Sequence, residues 1–328
     1  MILADGVQRV REDLMDEAVS ADMILKFDSD GGIIGALQKS SDFISGLSPN
    51  RLMEKFLLYE EPDDDYYVDA ADISAWTAGS AATLTGEDPD VARNVSFKFT
   101  DADYSITAFT LTVVGKDIRG TAQTEVFYWA GGLEQDGDML FSSLTSVTGT
   151  AITGNSTADV LNVGFGKKVF KGFSLDPDDA TNTLDLTTCR DAYTRPYFED
   201  AVKFYRAEYE IATANPRNWH NVVHCGNELR VEYDSSLAED EYIRIDWGKK
   251  HTLNYDLVTV PERFKELLID GATGYALESL GNHNINRITD GISVGGQWVN
   301  SGRSKVQMFK IAVNSRIPTD YTESFSRS

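Results

Sequence analysis

The sequence predicts an α+β protein with helices at both ends of the chain and an antiparallel β-sandwich or barrel inserted between them. Three observations carry this reading. Near the N-terminus Val7, Val10 and Leu14 recur at helical spacing, with charged residues in the gaps. From about residue 66 to 170 Thr, Val, Ser, Gly and aromatic residues dominate, in short alternating runs separated by turn residues. After Val260-Pro261-Glu262 the helical spacing returns, on Phe264, Leu267, Leu268, Ala272 and Tyr275-Ala276.

The first sixty residues read as three helices. A turn at Asp28 to Gly32 precedes a second apolar set, Ile33, Ile34, Leu37, Ile44 and Leu47. Ser48-Pro49 resembles an N-cap with proline at the first helical position, opening a third helix on Leu52, Met53, Phe56 and Leu57. Glu60-Glu61-Pro62 and Asp63 to Asp65 close it and read as a solvated hinge. The β grammar follows in Val95 to Phe99, Ala108 to Val114, Thr124 to Trp129, Ser143 to Val147 and Asp159 to Phe165. Five or more such strands make a module of about 100 residues able to bury its own core. Residues 171–260 are mixed. Pro196 to Tyr209 fits a helix on Phe198, Val202 and Tyr205, or equally a strand on Val202, Phe204 and Arg206. Glu228 to Tyr233 and Glu241 to Trp247 read as strands joined by an acidic turn. A glycine-rich loop with Gly291, Gly295 and Gly296 leads to a last helix, Ser304 to Ile317, on Val306, Phe309, Ile311 and Val313. The expected divisions are 1–65, 66–170, 171–317 and a polar tail, 318–328.

Composition narrows the function classes. The chain has 328 residues with ordinary shares of hydrophobic and charged residues, which argues against a disordered or fibrous protein. Against 52 acidic residues stand only 30 basic ones, a net charge of −22. Such a surface repels a phosphate backbone and an anionic lipid headgroup, so neither sequence-reading nucleic-acid binding nor membrane docking is expected. No run approaches the roughly 18 apolar residues of a spanning helix. The N-terminus shows no basic leader followed by an apolar run, so synthesis in a reducing cytoplasm is expected. Two cysteines, Cys189 and Cys225, make no disulfide scaffold. The sequons at Asn94 and Asn155 read as coincidental.

Each catalytic or ligand motif fails a physical requirement. Gly291 to Gly295 matches a nucleophile elbow around Ser293, but all four histidines (His220, His224, His251, His283) precede that serine, against the order of that family. His220 to Cys225 has metal-ligand spacing, yet Asn221 stands where a zincin glutamate acts as base, and no fourth ligand lies nearby. Asp28-x-Asp30 opens like a calcium loop, but Ile33 and Lys39 occupy its glycine and bidentate-acid positions. Gly164 to Lys168 lacks the first P-loop glycine and the magnesium-binding hydroxyl. Asp176 to Asp179 reads as a solvated turn. No pair of carboxylates is singled out, no cofactor is expected and the chain does not read as an enzyme.

Three stretches resemble virion proteins of tailed bacteriophages. GTAQTEVFYWAGG (120–132) and FSSLTSVTGTAITGNSTADVLNVGFG (141–166) are similar to the Thr/Gly/Val-rich β modules of phage neck, tail and fibre proteins. VPERFKELLIDGATGYALE (260–278) and the helix SKVQMFKIAVNSRI (304–317) resemble head-to-tail adaptor, or connector, proteins. VQRVREDLMDE (7–17) is similar to the opening helix of such adaptors. The likeness covers about 1–62 and 171–328; the family's short forms have no counterpart of 66–170.

The resemblance implies a helical bundle built from the N- and C-terminal helices, with the β domain inserted. It implies a structural virion protein in the neck between head and tail, with portal protein and tail or nozzle proteins as partners. It further implies a homo-oligomeric ring of about twelve copies, each needing two different complementary faces. Packaged DNA would pass through without sequence-specific binding, and an acidic lumen would keep it from adhering. In the tail, Tyr321 and Phe325 are expected as anchors and Arg316 and Arg327 as charge contacts on a partner. The competing expectation is a tail, fibre-anchoring or decoration protein whose β domain serves adhesion.

Overall fold

The computed structural model describes residues 3–16, 32–59, 62–101, 103–128, 134–175, 181–211, 217–254, 258–285 and 292–317. Over these residues the protein is mixed α+β and mostly β, with four helices and several antiparallel sheets. Two compact units are formed. One comprises Met1–Leu52, Asp200–Lys203 and Trp247–Ser328, the other Met53–Glu199 and Phe204–Asp246.

The first unit holds the helices α1 (Leu3–Asp16), α2 (Gly32–Leu47), α3 (Glu262–Ile285) and α4 (Ile292–Arg316). Their apolar faces meet in one core. Val10 and Leu14 come from α1, Ile33, Leu37 and Ile44 from α2, Phe264, Leu268 and Ala272 from α3, and Phe309 and Val313 from α4. Phe43 and Phe309 meet at 5.4 Å between ring centroids, joining α2 to α4. The helical spacing of these positions is the direct cause: each helix has one apolar stripe, and only burial against the others removes it from water.

Helix α4 corrects one expectation. It begins at Ile292, so Gly295 and Gly296 are helical and not in a loop, and the helix starts well before Ser304. Close packing on α3 explains why glycine is used. A Cβ on Gly302 would stand 2.6 Å from the backbone N of Glu278 and 2.7 Å from the carbonyl oxygen of Gly274. One on Gly281 would stand 2.7 Å from the carbonyl oxygen of Gly295. The two backbones therefore approach more closely than any side chain allows.

A second correction concerns residues 49–65. Asn50–Tyr59 is a strand, β1, and not a third helix. Arg51, Met53 and Lys55 are exposed while Phe56 and Leu58 are buried. That is a period of two, which overrides the fortuitous helical spacing of Leu52, Met53, Phe56 and Leu57. The acidic run that follows is not a hinge, because Asp63–Asp72 forms strand β2, with Asp63 opposite Phe165. Glu60 and Glu61 lie outside the described residues, as do Asp28 to Gly31 and Trp129.

The second unit contains two sheets that share one core. In the first, β4 (Arg93–Thr100) lies between β7 (Glu134–Phe141) and β9 (Val160–Phe170), and β9 also pairs β2 and β12 (Cys189–Arg190). The second has the order β3 (Ser80–Ala81), β8 (Ser143–Thr153), β5 (Ala108–Lys116), β6 (Ala122–Tyr128). Strand β5 shows the alternation plainly, with Phe109, Leu111 and Val113 buried between partly or fully exposed neighbours. Phe97 of β4 packs against Phe109 and Phe127 of the other sheet at 5.3 and 4.9 Å, edge to face. This unit extends beyond 66–170 because β1 pairs in parallel with β10 (Gly172–Ser174), and β12 in parallel with β9.

The segment Pro196 to Tyr209, readable as helix or strand, contains strand β13 (Ala201–Glu208). Glu228–Val231 (β16) and Tyr242–Lys249 (β17) are strands as expected but belong to different sheets. Strand β16 lies between β11 (Thr183–Asp185) and β15 (Val222–Cys225). Strand β17 lies between β1 and β13.

His251, 4% exposed, fastens the connection into α3. Its backbone N–H donates to Ser45 Oγ at 2.9 Å. The Thr252 N–H donates to Thr259 Oγ1, and the same hydroxyl makes a 3.2 Å hydrogen bond with His251 Nδ1. Nε2–H then donates to the carbonyl oxygen of Ser48 at 2.8 Å. Burial lowers the ring's pKa below 6.5, against the opposing effect of the hydrogen bonds to Ser48 and Thr259. The unfolded chain takes up a proton at a higher pH than the folded one. This contribution to stability is therefore complete above 6.5 and is lost as pH falls from there through the lowered folded value.

The packing has measurable consequences. Gly302→Ala destabilises the protein by about 1–3 kcal/mol in urea denaturation, since it must push the α3 and α4 backbones apart. Gly296→Ala, whose Cβ would meet nothing within 4 Å, stabilises it by about 0.5–1 kcal/mol. In the same assay, the stability advantage of the native chain over His251→Gln shrinks as pH falls below 6.5, by about 1.4 kcal/mol per pH unit at most.

Candidate functional site

The sequence-expected candidates are dispersed. Arg316 closes α4, and its Nη1 donates to the carbonyl oxygen of Arg263 at 2.6 Å. Its first contact is therefore the neighbouring helix. Tyr321, Phe325 and Arg327 lie outside the described residues. His220 ends strand β14 (Trp219–His220) with its ring against Tyr233 at 5.0 Å, while His224 in β15 packs on Phe204 at 4.8 Å. The two rings have different neighbours, and among the described residues neither joins a group of three or more ligand atoms. Cys225 is exposed; Cys189 is buried, and burial pushes its thiol pKa up.

Ser293 lies in the first turn of α4, a helical position unlike an elbow; Gly291 is outside the described residues, as is Asp176 to Asp179. Gly164 to Lys168 belongs to β9, where Lys168 pairs with Asp138. Both sequon asparagines serve the fold. Asn94, fully buried, donates to Gly137 O and accepts from the Lys168 N–H at 2.8 Å. Asn155 donates to the carbonyl oxygens of Ile73 and Trp76.

The structure assembles one chemical cluster that the sequence did not reveal. Asp101, Asp103 and Asp159 place one carboxylate oxygen each within 4.8 Å of one another, and among the described residues no other three His, Cys, Asp or Glu side chains do so. Asp101 and Asp103 follow β4, and Asp159 immediately precedes β9, so the pairing of β4 with β9 brings them together. Asp101 accepts the N–H groups of Ser105 and Ile106, both at 3.0 Å. Asp103 accepts from Ser156 Oγ at 2.9 Å, and Asp159 from the Ser156 N–H at 2.6 Å. Hydrogen bonds from Ser105 and Ser156 lower the Asp103 pKa. Three such oxygens could serve a hard cation such as calcium. Their donors already give them a role, which is to tie the loop after β4 to the loop before β9.

The same unit also presents aromatic surface. Tyr104, Tyr128 and Tyr193 are 87, 67 and 64% exposed. Tyr193 lies beside a cleft of about 250 Å³ with Asp117, Arg119, Gln123 and Met139 in its walls. The Arg119 guanidinium stands 4.2 Å from the Tyr193 ring centroid.

Two partly buried charge pairs lie on β13 and β17. Arg206 meets Asp246 at 3.1 Å, and Arg244 meets Glu208. Asp246 is fully buried, so the cost of taking these charges out of water offsets much of what the pairing gains.

Comparison of the chain with family models, with curated proteins and with solved structures gives no match. The geometry offers hydrogen-bonded loops, exposed tyrosines and paired charges. Asp101→Ala leaves two N–H groups without their charged acceptor and lowers stability in urea by about 2–3 kcal/mol, with little change in secondary structure by circular dichroism.

Proposed function

We propose that the protein is a structural virion component of a tailed phage, a head-to-tail adaptor that forms a ring between portal and tail and continues the DNA channel. The observation that carries this reading is the single core shared by α1, α2, α3 and α4. Helices more than 200 residues apart in sequence close on one another, and nearly all the β structure lies between them in the chain. On this reading the four helices form the adaptor bundle, and the two sheets joined through Phe97 form an inserted β-sandwich. Its partners are the portal protein, tail or nozzle proteins and further copies of itself. Its charge of −22 keeps packaged DNA from adhering during passage.

A second reading, a tail, fibre-anchoring or decoration protein, is favoured by Tyr104, Tyr128 and Tyr193. Exposed aromatic rings on a β unit are suited to stacking on a sugar or a partner surface. Electron microscopy of the protein mixed with its candidate portal ring, sorted by rotational symmetry, separates the two. The adaptor reading expects an added ring of density at one end of the portal. Bare portals beside free protein would overturn it and leave adhesion, tested next by glycan binding.

A further inference from the structure

Two turns of the second unit form the cleft beside Tyr193. One joins β5 to β6. There Asp117 Oδ1 accepts the N–H groups of Arg119 and Thr121, both at 2.8 Å, and Ser142 Oγ donates to the Asp117 carbonyl oxygen at 2.7 Å. The other turn follows β12. Asp191 Oδ1 accepts the N–H groups of Tyr193 and Arg195 at 2.7 and 3.0 Å, and Asp191 Oδ2 accepts from the Arg195 guanidinium at 3.0 Å. Thr194, in the cleft wall, has a φ of 64°, a conformation that β-branched residues rarely adopt and that clusters at ligand sites. The cleft is therefore pre-formed, with a carboxylate at the base of each turn fixing the side chains at its rim.

Its walls combine three chemistries. Ile118, Met139 and Leu140 supply apolar surface. Gln123 Nε2 donates to the Leu140 carbonyl oxygen at 2.6 Å, which leaves the amide oxygen as an acceptor, and Asp117 keeps its second carboxylate oxygen as another. The charge is Arg119. Its guanidinium lies on the Tyr193 ring, and among the described residues it meets no carboxylate, in a chain with 52 acidic residues. Arg195, also near that ring, is by contrast neutralised by Asp191. Stacking uses the flat face of a guanidinium and leaves its edge N–H groups available for two parallel bonds to a carboxylate. The volume, about 250 Å³, is just under the roughly 300–1,000 Å³ of a drug-sized site and suits a single ring.

We propose that this cleft binds a carboxylated pyranose, the sugar acid of a uronic or sialic acid residue. Arg119 takes the carboxylate, Met139 and Leu140 take the C–H face of the ring, and Gln123 and Asp117 accept its hydroxyls. Each simpler ligand leaves a wall unanswered. A neutral sugar brings no charge to Arg119. An aromatic acid brings no hydroxyl to the two acceptors. A dianionic phosphate sets its second charge against Asp117 in the same cleft. The proposal rests on the adhesion reading only for its use on a virion; the cleft itself stands on the two turns.

Isothermal titration calorimetry of the full chain with digalacturonate, sialyllactose, lactose and acetate tests it. At least one of the two carboxylated sugars is expected to bind about tenfold or more tighter than lactose or acetate, and the one that does identifies the acid. Arg119→Gln is expected to weaken that binding about tenfold or more, as loss of a charge-assisted pair does, with melting temperature unchanged. Tyr193→Ala, which removes the platform under Arg119, weakens it as well, whereas Tyr193→Phe retains it. Failure of both acids to bind overturns the proposal, as does binding that Arg119→Gln leaves untouched. Lactose bound as tightly as the acids overturns it too, and so does acetate, which would mark a site for any small anion. Glycan binding that survives Arg119→Gln removes this cleft and keeps the adhesion reading. Arg119-dependent binding by a protein that also adds a ring to the portal keeps the cleft and removes the adhesion reading in favour of the adaptor.

Discussion

Helices α3 and α4 touch backbone to backbone, and the first unit depends on that approach. Gly281 and Gly302 let the carbonyl oxygens of Gly295 and Gly274 stand where a Cβ would otherwise be. Once the pair is closed, Phe264 and Leu268 on one helix and Phe309 and Val313 on the other present one continuous apolar surface. Helices α1 and α2 then have something to cover. Thr273 Oγ1 of α3 donates to the Asp13 carboxylate of α1 at 3.1 Å, and Arg9 of α1 pairs with Glu266 of α3, so polar contacts fix the register that apolar burial leaves loose.

In the second unit the equivalent constraint is aromatic. Phe97 reaches across from one sheet to Phe109 and Phe127 of the other, with Phe99 alongside at 5.6 Å. Arg93, on the same strand and 1% exposed, lays its guanidinium 4.3 Å from the Phe165 centroid and 5.3 Å from that of Tyr59. A buried cation between two rings is a costly choice unless it is well surrounded. Here it extends the aromatic packing to the start of β4.

Legibility in the sequence followed a single physical distinction. Where a residue's neighbours in sequence decide its environment, the reading succeeded, as for Val10 and Leu14 in α1 or Phe109, Leu111 and Val113 in β5. Where distant backbone decides, it failed. Gly295 and Gly296 look like a loop, and only the approach of α3, with Gly281 against the Gly295 carbonyl, makes that stretch a packed helix. Leu52, Met53, Phe56 and Leu57 satisfy a helical spacing, yet pairing with β10 and β17 selects the strand. The carboxylates of Asp103 and Asp159 are separated by more than fifty residues, so no local pattern connects them before β4 and β9 pair.

The closure of the first unit across the whole length of the chain sets an order of events during synthesis. Helices α1 and α2 leave the ribosome first but find α3 only after about 200 further residues, at roughly 5–20 residues per second. For on the order of ten to forty seconds their stripes, Val10 and Leu14, Ile33 and Leu37, lack the α3 and α4 surfaces that complete their core. The second unit, whose two sheets are complete by about residue 190, can collapse within that interval. A nascent chain thus passes through a state with finished sheets and waiting helices, and it is in this state that a chaperone would find the most to hold.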